Sequence, residues 1–119
     1  MYSKNKVQHL KKDNMKTAED LTLGFSIDFS LGINDYFVSI FDERVANELL
    51  DEPFRKMLNE EMVKAGIIKP FWKGDKGYYE YNTLEVAEWL VNNSDEIKTQ
   101  FKRYLRDKAR YATYVVENF

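Results

Sequence analysis

Hydrophobic and polar positions alternate strictly over residues 21–31. Leucine, phenylalanine or isoleucine occupies every odd position, and small or polar residues occupy the positions between them. A period of two residues is typical of a strand with one buried face. Turn residues follow at 32–35, and residues 36–41 (YFVSIF) are rich in β-forming side chains. We interpret this segment as the second arm of a hairpin or, because its apolar positions do not alternate, as a helix capped by Asn34 or Asp35.

A helical period begins at Asp42, which is a favourable N-cap residue. Apolar residues at 45, 46, 49 and 50 indicate a short helix. Residues 51–53 (DEP) interrupt this stripe, because proline is tolerated only in the first turn of a new helix. Residues 54–65 then carry a second apolar face, and Gly66 follows, as is usual at a helix C-terminus.

Two segments rich in β-forming residues, 67–72 and 78–82, flank a loop at 73–77 that holds two glycines and an aspartate. This composition predicts a β-hairpin. Helices are predicted after it, because Asn82 and Asn93 each precede an acidic residue by three positions, as N-caps do. Residues 111–119 either continue the last helix or form a final strand.

The fold class is therefore α+β, in a single small domain. It has an N-terminal β-strand or hairpin, a helix-turn-helix followed by a β-hairpin at 42–82, and C-terminal helices at 83–119. Residues 1–16 are polar and lack a period, which predicts a flexible arm before the domain at 17–119.

Composition excludes several classes of protein. The chain has 119 residues, of which 44% are hydrophobic, enough for a core. Cysteine is absent, which excludes disulfides, zinc-thiolate sites and thiol nucleophiles. No apolar run is long enough to span a bilayer, and the N-terminal segment lacks the apolar core of a secretory signal. We expect a soluble, cytoplasmic protein without membrane contact.

Enzymatic chemistry is not indicated, and we expect no catalytic residues, no metal and no cofactor. His9 is the only histidine, and adjacent carboxylates in a helix point to different sides. Residues 74–77 (GDKG) lack the ending of a phosphate-binding loop.

The net charge of −2 excludes a uniformly basic surface, but the charges are banded. Residues 35–61 hold eight acidic and three basic residues, whereas residues 97–110 hold six basic residues and one acidic one. Such bands mark partner surfaces of either sign, or neutralise one another in the fold.

The predicted hairpin carries an aromatic and basic cluster. Its members are Phe71, Trp72, Tyr78, Tyr79 and Tyr81, with Lys69, Lys73 and Lys76 between them. Lysine contacts phosphate and aromatic rings stack on bases, although the same rings could instead pack on a neighbouring helix. The basic side of the last helix, including Lys102 and Arg106, could lie on a phosphate backbone or simply be solvated.

Residues 42–82 resemble a winged helix-turn-helix domain. The helix after Asp42 stands where the positioning helix would be, residues 53–65 stand at the recognition helix, and residues 67–82 stand at the wing. The resemblance implies that Arg55, Lys56 and Asn59 face DNA, where asparagine can read adenine and arginine can read guanine. It places Lys73 and Lys76 on the wing.

Two functions are consistent with these observations. The first is a non-enzymatic, winged-helix-type regulator or accessory protein that binds double-stranded DNA. The second is an inhibitor or adaptor, such as a phage or mobile-element protein that blocks a host or immune (for example CRISPR) nucleoprotein, with an acidic surface at Glu43, Glu48, Asp51 and Glu52. In either case the apolar C-terminal helix could form a homodimer.

Overall fold

The computed structural model describes residues 16–119, so the arm predicted at 1–16 lies almost entirely outside the described residues. Helices and one antiparallel hairpin make up the described part, and the α+β class is confirmed. In chain order the elements are α1 (Ala18–Ile27), α2 (Phe29–Ile40), α3 (Glu43–Glu48), α4 (Glu52–Lys64), β1 (Ile68–Lys73), β2 (Lys76–Tyr81), α5 (Thr83–Asn92) and α6 (Ser94–Asn118).

The predicted N-terminal strand at 21–31 is wrong, because this segment forms α1 and the start of α2. Thr17 begins α1 with a capping box, in which its hydroxyl accepts from the Asp20 N–H and the Asp20 carboxylate accepts from the Thr17 N–H. Asp28 ends α1 and caps α2. Residues four positions apart fit both an alternating strand and one face of a helix, so the alternation does not distinguish the two. Leu21 and Phe25, which are four positions apart, are buried on one face of α1.

The hairpin interpretation of residues 36–41 is also wrong, since α2 continues through Ile40. Tyr36, Phe37 and Ile40 are buried at the spacing of one helical face. The helical alternative is therefore the correct one for this segment.

The start of that helix differs from the prediction. Helix α2 begins at Phe29, and its cap is Asp28, whose carboxylate accepts from the Leu31 N–H at 3.3 Å. The predicted caps, Asn34 and Asp35, both lie inside α2 and cap no helix. The earlier start follows from Asp28, whose extended backbone ends α1. Its side chain then accepts a hydrogen bond from an otherwise free N–H in the first turn of α2.

Helices α1 and α2 approach closely at two glycines. Gly24 and Gly32 are both buried, and a Cβ atom on Gly32 would collide with the ring of Phe25. Glycine is required here because there is no space for a side chain, and not because of the backbone conformation.

The predicted helix boundaries after residue 41 are largely confirmed. Asp42, Asp51 and Asn82 each accept a backbone N–H at the start of α3, α4 and α5. Gly66 has a φ of 75° after α4, as the C-terminal position requires. Asn93 precedes α6 as predicted, but its side chain makes no cap and donates instead to the Trp89 carbonyl oxygen.

The core joins the helices through packing and through a small buried cluster of polar contacts. The Tyr36 hydroxyl donates to the Leu90 carbonyl oxygen at 2.9 Å and lies 2.8 Å from Ser94 Oγ, which connects α2 to α5 and α6. Burial raises the pKa of Tyr36 to about 12, so this hydroxyl keeps its proton. Residues 111–118 continue α6, the first of the two alternatives.

Candidate functional site

The predicted recognition helix, α4, lines a groove with α2 and the hairpin. Arg55, Lys56 and Asn59 all border one part of it, of about 250 Å³. The opposite wall is formed by Phe29 and Tyr79. The structure therefore brings together the three α4 residues that the resemblance places against DNA.

The groove continues along α4 toward the hairpin, where a second part of about 540 Å³ is lined by Val63 and Lys64 of α4 and by Pro70 of β1. Lys56 and Tyr79 border both parts, so we treat them as one α4–hairpin groove. Its charge is mixed. Acidic and basic side chains both line it: Glu52, Glu60, Arg55, Lys56 and Lys64.

The strand register divides the hairpin into two faces. Residues that are directly opposite each other share a face, and side chains alternate along each strand. The inner face holds the pairs Ile68–Tyr81, Pro70–Tyr79 and Trp72–Gly77; the outer face holds Lys69–Glu80, Phe71–Tyr78 and Lys73–Lys76.

The base of the inner face packs on the helical body. The Tyr81 hydroxyl donates to the Phe25 carbonyl oxygen at 2.7 Å, and the Tyr79 ring lies 4.9 Å from that of Phe29. Near the turn, Trp72 lies over Gly77 and is 74% exposed. The five aromatic residues of the hairpin therefore have two different roles. Tyr79 and Tyr81 anchor the hairpin to the helices, whereas Phe71, Trp72 and Tyr78 remain exposed.

All three hairpin lysines lie on the outer face and are exposed. Within residues 16–119, the ion pairs are Arg44–Glu48, Lys64–Glu61, Lys108–Asp51 and Arg110–Asp107. Lys69, Lys73 and Lys76 therefore pair with no acidic side chain in this part of the chain. Arg55 and Lys56 of the groove are also outside these pairs.

Asp51 belongs to a network that no local sequence pattern indicates. Its carboxylate accepts from the Tyr104 hydroxyl at 2.7 Å, from Lys108 Nζ at 2.8 Å and from the Phe54 N–H at 3.2 Å. Burial by itself would raise the pKa of Asp51, but these hydrogen bonds together lower it. The network fixes α6 to the start of α4 and pairs the Asp51 carboxylate with a lysine.

The remaining predicted site residues lie apart from the groove. Lys102 and Arg106 are exposed on α6, each about 160° around the helix axis from Tyr104, which faces α4. Glu43 is exposed on α3, and Glu48 pairs with Arg44 at 3.0 Å. Of the proposed acidic surface, only Glu52 borders the groove.

Comparisons of the chain with family models, curated proteins and solved structures give no match. The resemblance to winged helices therefore depends on the residues at 42–82 and on the order of the elements. Within residues 16–119, no three acidic or histidine side chains are grouped so that they could hold a metal ion. In the same part of the chain, no helix is both long and apolar enough to cross a membrane.

Proposed function

We propose that the protein binds double-stranded DNA as a small regulatory or accessory protein, with α4 in the major groove and the hairpin beside it. The observation that carries the proposal is the shared groove, in which Arg55, Lys56 and Asn59 of α4 lie next to the hairpin. A helix fits the major groove of B-form DNA, and basic residues at its edge contact phosphate.

The charges of α4 are compatible with this placement. Asp51 is paired with Lys108, so the start of the helix presents less negative charge than the sequence suggests. The N-terminus of a helix also attracts phosphate through its free N–H groups. Glu52 and Glu60 remain in the groove, where a carboxylate can accept a hydrogen bond from cytosine.

Lys73 and Lys76 flank the turn of the hairpin, and replacing both of them tests whether the hairpin contributes to duplex binding. We expect the Lys73→Glu/Lys76→Glu variant to bind a DNA duplex at least about tenfold more weakly at low salt. Each lysine that contacts a phosphate releases about one counterion from the DNA, and the variant loses this favourable contribution at two positions. The slope of log affinity against log salt should become shallower by about 2. Titration of a labelled duplex at several salt concentrations measures both quantities.

A matched control comes from α6. The Lys102→Glu/Arg106→Glu variant changes the net charge by the same amount on a surface turned away from α4. It should bind the duplex with nearly the affinity of the unmodified protein. Equal weakening by both variants, or no duplex binding at low salt, would contradict the proposal.

A protein partner is the second candidate function, because the groove has mixed charge and exposed apolar residues. Val63 of α4 and Pro70 of β1 line the groove beside Glu60, and both apolar residues are exposed. Interleaved charges of both signs suit a polar protein surface better than a phosphate backbone. An inhibitor of a host nucleoprotein would use this groove, and capture of one stoichiometric partner that survives nuclease treatment would favour it.

We also propose that two copies associate through the end of α6. The residues after Asp107 include a set of exposed apolar side chains, Tyr111, Tyr114, Val116 and Phe119. Beyond Lys108, which lies on the same face and pairs with Asp51, the helical face of Ile97 and Phe101 is again apolar at Ala112 and Phe119. Large exposed apolar patches of this kind mark interaction sites.

Charged substitutions at this surface should produce a monomer. We expect the unmodified protein to have twice the monomer mass in light scattering, and the Val116→Asp/Phe119→Asp variant to have the monomer mass. Leu23→Asp/Ile27→Asp is the control, since it places the same charges on exposed apolar positions of α1. A monomeric unmodified protein at high concentration would exclude the dimer.

A further inference from the structure

The outer face of the hairpin carries a pair of aromatic rings that duplex binding by α4 does not use. Phe71 and Tyr78 stand directly opposite each other, with ring centroids 5.5 Å apart and ring planes 25° apart. Both rings are more than 40% exposed. Among the described residues, neither ring is packed against the hydrophobic core, whereas Tyr79 and Tyr81 of the inner face are.

Basic residues surround the pair. Lys69 precedes Phe71 on the same face, and Lys73 and Lys76 face each other across the two strands toward the turn. Like charges directly opposite each other destabilise a hairpin, unless an anion lies between them. Of the residues in β1 and β2, only Glu80 brings a negative charge to this face, opposite Lys69.

We propose that the outer face of the hairpin binds single-stranded nucleic acid, with Phe71 and Tyr78 stacking on unpaired bases and the lysines contacting the phosphates. Charge complementarity selects this occupant, because the face has an excess of positive charge around an apolar centre. Proteins that bind single strands combine aromatic platforms with a basic surface in this way. The inference goes beyond the proposed function, because the rings lie on the face opposite the α4–hairpin groove.

The experiment separates stacking from charge. The Phe71→Leu/Tyr78→Leu variant keeps every lysine and retains apolar side chains in the strands, but it removes both aromatic faces. Trp72→Leu is the matched control, because it removes an exposed aromatic ring from the inner face of the same hairpin. Thermal unfolding of each variant shows whether the fold is retained.

The probes are labelled oligothymidylate and oligouridylate of about 12 nucleotides, within the usual site size for such proteins. At low salt the unmodified protein should bind one or both saturably, and comparison of the two distinguishes DNA from RNA as the source of the strand. The hairpin variant should bind at least about tenfold more weakly, because it loses two stacking platforms. The Trp72→Leu control should bind like the unmodified protein.

Two results would overturn the inference. One is the absence of saturable binding of either oligonucleotide below about 100 μM, a range that includes non-specific nucleic-acid binding. The other is equal affinity of the folded hairpin variant and the unmodified protein, which would show that charge alone attracts the strand. Titration with a duplex tests the proposed function separately from this inference. The Phe71→Leu/Tyr78→Leu variant keeps its charges, so its duplex affinity should be that of the unmodified protein.

Discussion

Charge reversal of Arg55 and Lys56 is expected to weaken duplex binding more than any other change at the proposed interface. The two side chains border the same part of the α4–hairpin groove, and neither is among the ion pairs of residues 16–119. In the Arg55→Glu/Lys56→Glu variant, two attractive contacts become two repulsive ones at the centre of the proposed interface. A specific base contact is worth about 1–3 kcal/mol, so we expect a loss of about 100-fold or more.

Duplex titration at constant salt measures this loss, and the α6 variant Lys102→Glu/Arg106→Glu is again the matched control. Asn59→Ala adds a second readout, because it leaves the charge unchanged. If Asn59 reads adenine, this variant loses discrimination between sequences but keeps most of its non-specific affinity. Retained duplex binding by the Arg55→Glu/Lys56→Glu variant would exclude α4 as the recognition helix and would favour the protein-partner function.

The elements that the sequence predicts well are those whose local signals agree. Asp42, Asp51 and Asn82 all cap helices, and Gly66 follows α4 with a positive φ. At residues 21–31 the signals conflict, because the alternation favours a strand while Thr17 and Asp28 are good caps. The segment forms helices, in agreement with the caps. Leu23 and Ile27 are exposed because they do not lie on the buried face of α1.

The candidate site was only partly predictable, since much of it depends on contacts between distant residues. The α4 residues and the hairpin follow from the local pattern. The pairing of Asp51 with Tyr104 and Lys108 joins positions more than 50 residues apart, and no local period indicates it. The division of the hairpin aromatics follows from the register, which a sequence does not fix when both faces carry aromatic residues.

The second large effect is expected at the contact between α1 and α2. Gly32 is buried against the ring of Phe25, and a Cβ atom at this position would lie 2.6 Å from Phe25 Cε1 and nearer still to two other ring atoms. The ring is rigid and is itself buried, so the two helices must separate to admit a side chain. We expect Gly32→Val to lower the free energy of unfolding by about 3 kcal/mol, at the upper end of overpacking costs.

Thermal and urea unfolding measure this change, and the midpoint temperature should fall by about 10 °C. Gly66→Ala is a contrasting variant, because its Cβ would meet nothing within 4 Å and only the positive φ opposes it. It should cost about 1 kcal/mol. A loss at Gly32 no larger than the loss at Gly66 would show that the two helices separate easily.

The decisive comparison is the double variant Gly32→Ala/Phe25→Leu, in which a smaller, flexible side chain replaces the ring. If the contact with Phe25 is the cause, the two changes together should destabilise the protein less than the sum of the single changes, because residues in contact are energetically coupled. Additive losses would instead place the strain elsewhere between the two helices.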